Sequence, residues 1–112
     1  MQVRYHKEAA QGKWFELSIM EQLAHIGSEV SRAKNWKDKD PALFQGAVER
    51  ALELFDLTCE DPRWRAQKRL QEIALARELF CDAISGGKEY SASLEELNRY
   101  FLPYALAARK NV

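Results

Sequence analysis

The stretch 73-IALARELFCDAI-84 decides how this chain folds. At 100° per residue, Ile73, Ala74, Phe80, Cys81 and Ile84 recur at three- and four-residue steps and share one side of an α-helix. Arg77 falls inside that apolar stripe. A guanidinium cannot shed its proton, and burying it unpaired is costly, so the stripe itself demands an acceptor from a facing helix.

The same period extends in both directions. Phe15, Ile19, Leu23, Ile26, Val30 and Ala33 predict a first helix from Phe15 to the neighbourhood of Trp36. Asp40 and Pro41 then supply an N-cap and a first helical residue that needs no N–H; the second helix carries Phe44, Ala47, Val48, Ala51, Leu52 and Phe55 and ends near Thr58. Asp61 and Pro62 repeat the device. They open a third helix, whose stripe runs Ala66, Leu70, Ile73, Ala74, Arg77 and onward until Gly86 and Gly87 end it. Ser93 and Glu96 form a capping-box pattern before a fourth helix bearing Leu94, Leu97, Phe101, Tyr104, Ala105 and Ala108. Pro103 inside it predicts a kink or break near Arg99 to Leu102.

Long helices joined by short connections favour antiparallel neighbours, so the expected architecture is all-α, an up-down four-helix bundle. Residues 1–13 lack periodicity and read as a flexible N-terminal arm, and 14–112 as a single bundle domain. A chain of 112 residues can bury one core without a metal or disulfide. Its 17 basic and 17 acidic residues cancel and are balanced between the two halves, so no net field points to nucleic acid or an anionic membrane. No apolar leader or membrane-length run is visible, which predicts a soluble, cytoplasmic protein. Cys59 and Cys81 show no CxxC pattern and read as inert core thiols. Leu43, Leu54 and Leu57 flank the second stripe, and Trp64, Leu75 and Leu79 lie away from the third. This surplus of apolar surface predicts a homodimer.

For Arg77 the first helix offers a polar flank of Gln22, His25, Glu29, Arg32 and Trp36. Glu29 lies closest to the stripe and is the expected bidentate partner, with Arg32, His25 and Asp56 as second members of the polar site. Glu21, His25 and Glu29 share a flank, yet no Glu-x-x-His of the di-iron type occurs, so neither a metal nor a cofactor is expected. Arg63, Arg65, Lys68 and Arg69 cluster around Trp64 in the opening turns of a helix, where they could contact phosphate while the ring stacks on a base. The segment 86-GGKEYSAS-93 lacks the spacing of a P-loop and reads as a plain connection.

The segments EQLAHIGSEVSRAKNWK, AVERALELFDLT, ARELFCD and YFLPYALAAR together resemble a family of small uncharacterised prokaryotic helical-bundle proteins, over most of residues 14–109. That resemblance implies the same bundle and weight on Glu29, Arg32, Arg50, Asp56, Arg77 and Asp82. More loosely, the chain is similar to HEPN domains, four-helix bundles that include RNase toxins and noncatalytic partners of nucleotidyltransferases. Their signature places a His four to six residues after an Arg. Here Arg77 is followed by ELFC and Asp82, with no His beyond residue 25, which argues against ribonuclease chemistry. The sequence therefore predicts a noncatalytic interaction or binding module with an unknown protein partner; the alternative is a HEPN-like RNA- or nucleotide-associated protein.

Overall fold

The computed structural model describes residues 5–7 and 12–110, with side chains as far as residue 107. These residues are all-helical. A short 3-10 turn, Lys13–Glu16, precedes five α-helices: α1 (Ile19–Trp36), α2 (Pro41–Glu60), α3 (Pro62–Ala66), α4 (Leu70–Ile84) and α5 (Leu94–Lys110). The four longer helices close a ring of contacts, α1 packing on α2 and α5, α2 on α4, and α4 on α5, while α3 sits against α2. No helix is long and apolar enough to cross a membrane.

The helix starts follow from local chemistry. Asp40 Oδ1 accepts from the N–H groups of Ala42 and Leu43, both at 3.1 Å, and Asp61 Oδ1 accepts from Arg63 N–H at 3.0 Å. The first helix begins four residues later than its apolar period suggests. Ser18 and Glu21 form a reciprocal capping box there, each donating its backbone N–H to the other's side chain at 3.1 Å, and this pair fixes the start at Ile19. At Ser93 the hydroxyl accepts from Glu96 N–H at 3.1 Å.

The breaks in the helices do not fall where the sequence suggests. The fourth predicted helix is not broken near Pro103: α5 runs unbroken through it. The third predicted helix, by contrast, breaks at Gln67–Arg69, where Lys68 takes a left-handed backbone with φ of 58° and Arg69 N–H donates to the Trp64 carbonyl at 2.7 Å. The break resets the helical phase. On α4 the buried apolar positions are Ile73, Ala76, Phe80 and Ala83, with Asp82 buried beside them, and Ala66 and Ala74 of the predicted stripe are exposed.

At the centre, the Phe55 ring lies 5.6 Å from that of Phe80 and 6.1 Å from that of Phe101, joining α2, α4 and α5. On the other side α1 meets α5 at Gly27, where a built Cβ would stand 2.7 Å from Phe101 Cβ. Only glycine fits that approach without displacing a helix.

Of the predicted arm, residues 1–4 and 8–11 lie outside the described residues. Within it, the backbone N–H groups of Tyr5 and His6 donate to the Glu53 carboxylate at 3.1 and 3.2 Å, and His6 Nδ1 lies 3.3 Å from the same group.

Candidate functional site

Four polar or apolar features compete for function, and the first is sealed. Gln22, 0% exposed, donates from Nε2 to the Trp14 carbonyl at 3.0 Å and to Asp61 Oδ2 at 2.9 Å; its Oε1 accepts from the Trp64 indole at 2.9 Å. The Trp14 indole donates to Thr58 Oγ1 at 3.0 Å, and the Thr58 hydroxyl donates to the Leu54 carbonyl at 2.7 Å. Arg63 closes the edge, donating from Nη2 to Asp61 Oδ2 and to the Leu17 carbonyl, both at 2.6 Å. Burial pushes the Asp61 carboxyl up, but the hydrogen bonds from Arg63 and Gln22 outweigh it and hold the group below the ordinary carboxylate range. No buried side-chain polar atom of this hub lacks a partner, so it is a structural joint between α1, α2 and α3. The sequence placed Gln22 on a polar flank; the hub draws on segments too far apart in the chain to be read from spacing.

The second feature is centred on Glu29. Its carboxylate accepts from Arg32 Nη1 at 2.7 Å and from Arg50 Nε at 3.0 Å, so two guanidinia share one buried acid. This overturns the expected pair: Arg77 does not reach Glu29. Arg32 and His25 do belong with Glu29, lining with His6 and Trp14 an open cleft of about 670 Å³. His25 is exposed, its ring 5.8 Å from that of Trp14. Ser28, the hydroxyl lining that cleft, donates to the Ala24 carbonyl at 3.2 Å and is not held against either imidazole as an activated nucleophile.

Arg77 forms the third feature, at the edge of α4 rather than in the core. Its Nε donates to Asp56 Oδ1 at 2.8 Å, and the two side chains keep 37% and 39% exposure. Within α4 the face turned inward carries Ile73, Ala76, Phe80 and Ala83, which leaves Arg77 on its flank. Asp56 therefore moves from second member to direct partner. Arg77 borders an open cleft of about 620 Å³ with Cys81, Asp82 and Lys88. The Asp82 carboxylate there is occupied: it accepts from the backbone N–H groups of Glu89 at 2.8 Å, Tyr90 at 3.1 Å and Ala92 at 3.0 Å. The Glu89 N–H, with those of Ala92 and Tyr90, holds this carboxyl below its ordinary range. Cys59 lies near the same pair, and burial, reinforced by the Asp56 charge, raises its thiol above the ordinary value and leaves it a poor nucleophile.

The basic cluster around Trp64 is not assembled for stacking. Trp64 is 0% exposed and its indole is spent on Gln22. Arg63 folds onto Asp61, and Arg69 forms paired bonds of 2.9 and 3.0 Å to Glu72 with its guanidinium 4.9 Å from the Trp64 ring centroid. Arg65 and Lys68 are left as exposed cations.

The fourth feature is an apolar groove of about 310 Å³ between α4 and α5, closed at one end by the loop before α5. Leu75, Leu79, Leu97, Tyr90 and Tyr100 supply its apolar surface. Leu75 and Tyr90 remain 51% and 53% exposed. The Tyr100 hydroxyl donates to Glu72 Oε1 at 2.5 Å, and burial together with that carboxylate pushes the phenol well above its usual pKa. Of the six residues read as surplus, Leu54, Leu57 and Trp64 are spent in the core; Leu43 and Leu75 reach the surface, and half-buried Leu79 joins Leu75 in this groove.

Among the described residues no group of three or more His, Cys, Asp or Glu side chains is placed to hold a metal ion. No protein-family model, curated protein or solved structure matches the chain.

Proposed function

We propose that this chain is a noncatalytic interaction module that docks a protein partner in the α4–α5 groove. The observation carrying this reading is the groove itself: leucine and tyrosine side chains left half in water, walled by two helices and a loop. Its volume of about 310 Å³ suits a few apolar anchor side chains. The bundle is read as up-down, with α3 as a short insertion that resets the phase of α4. Support for chemistry is weaker, since Glu29, Asp61 and Asp82 are each occupied by guanidinium or backbone donors. A HEPN-like RNA-associated role retains only Arg65 and Lys68 from its cluster as exposed cations. A homodimer in this reading would use Leu75 and Leu79.

The test needs no knowledge of the natural partner. A synthetic amphipathic helix of Leu and Ala with Gln on its polar face is titrated into isotopically labelled protein. Amide shifts concentrated at Leu75, Leu79, Tyr90, Leu97 and Tyr100, and abolished by Leu75→Asp, are expected. Shifts scattered over α1 and α2, or none, overturn the reading.

A further inference from the structure

Ten described residues line the groove, and the charged ones among them are both acids, Glu72 and Glu96. Glu72 is partly offset by Arg69 and by the Tyr100 hydroxyl. Glu96 is exposed, follows Glu95 in the first turn of α5, and has no basic neighbour within the groove lining. An apolar floor with an acidic margin discriminates by sign, because a cation arriving beside it gains attraction while a carboxylate meets repulsion in a partly desolvated setting.

That margin also bears on a second copy as occupant. A two-fold pairing through one groove sets the same surface patch against itself. Glu72 is answered by Arg69, but Glu96 of one molecule would then meet the acidic margin of the other, with no Lys or Arg in either lining to answer it. Like charges so placed oppose association.

We infer that the groove is built for an amphipathic helix from a different protein, carrying Leu- or Phe-type anchors flanked by Lys or Arg. This rests on the interaction-module reading above and adds the partner's charge and the exclusion of self-pairing. The apolar anchors fill the floor between Leu75, Leu79 and Leu97, and the flanking cations lie along Glu96.

Three synthetic helices with the same Leu/Ala anchors and Lys, Gln or Glu flanks decide the matter by fluorescence anisotropy on the full chain, with light scattering alongside. The Lys-flanked helix is expected to bind at least about tenfold more tightly than the Glu-flanked one, roughly 1.4 kcal/mol. That preference shrinks in Glu96→Gln and in high salt, while the Gln-flanked helix is unaffected by the substitution. The protein alone remains monomeric. Equal affinity for Lys and Glu flanks overturns the inference and leaves the module reading intact, as does a dimer dissociated by Leu75→Asp. Failure of all three helices to bind overturns both. Glu96 is exposed, so its variant folds, and an unchanged thermal midpoint verifies it.

Discussion

Gln22 and Arg77 are both polar residues on helices that face a core, and the molecule treats them in opposite ways. Around Gln22 every donor and acceptor is matched by Trp14, Asp61 and Trp64, and the side chain is wholly enclosed. Arg77 is instead carried to the helix edge, where Asp56 meets it and water reaches both. A neutral amide with several fixed partners can be enclosed at modest cost, whereas a permanent charge is moved outward by rotating the helix that bears it.

The largest effect should come from breaking the enclosed side. Gln22→Leu orphans the buried Trp64 indole N–H at about 1–3 kcal/mol and removes a donor from Asp61, which keeps Arg63, at about 1 kcal/mol, so urea denaturation should register a loss of roughly 2–4 kcal/mol. A loss below about 0.5 kcal/mol would mean that water replaces the amide.

The Asp61 carboxylate gives the same region a pH signature. Its folded pKa lies below the unfolded value of about 3.9, so the unfolded chain takes up the proton first as acid is added. The contribution is complete above about pH 5 and drains as pH falls through the unfolded pKa towards the folded one. Denaturant midpoints followed downward through this window should fall more steeply for the wild type than for Asp61→Asn, which is less stable near neutrality. Parallel profiles would contradict the depressed carboxyl.

Lys68→Gly tests the turn that separates the two regions. A non-glycine residue at φ of 58° is strained, and glycine there should raise stability by up to about 1 kcal/mol with the helix content unchanged in circular dichroism. A destabilised variant would show that the Lys68 side chain holds the turn. The smallest effect is expected at Arg77→Met: a half-exposed pair contributes at most about 1 kcal/mol, and a larger drop would return Arg77 to the interior.

Much of the helical order was legible in the chain. Asp40–Pro41, Asp61–Pro62, Ser93 and the Gly86–Gly87 stop are local signals, and each acts where the residues stand. Ser18-x-x-Glu21 was equally local and marks the true start of α1 more faithfully than the apolar period, which ran back to Phe15. The break at Lys68 was illegible because neither glycine nor proline announces it; the turn closes on a backbone bond from Arg69 to the Trp64 carbonyl, which no residue type signals. The partner of Arg77 was illegible for another reason: which flank of α4 faces α2 is set by packing, and it brings Asp56 rather than Glu29 within reach. The α4–α5 groove needed the helices assembled before it existed, although Leu75 and Leu79 already stood out as unclaimed by the third stripe.

Gly27 has a reach beyond its own helix. Because a built Cβ at that position falls 2.7 Å from Phe101 Cβ, an atom that any residue but glycine carries, a side chain at 27 forces α1 away from α5. A hydrogen at 27 is therefore a fingerprint of this particular helix crossing: a relative sharing the architecture should keep glycine at 27 whichever side chain stands at 101.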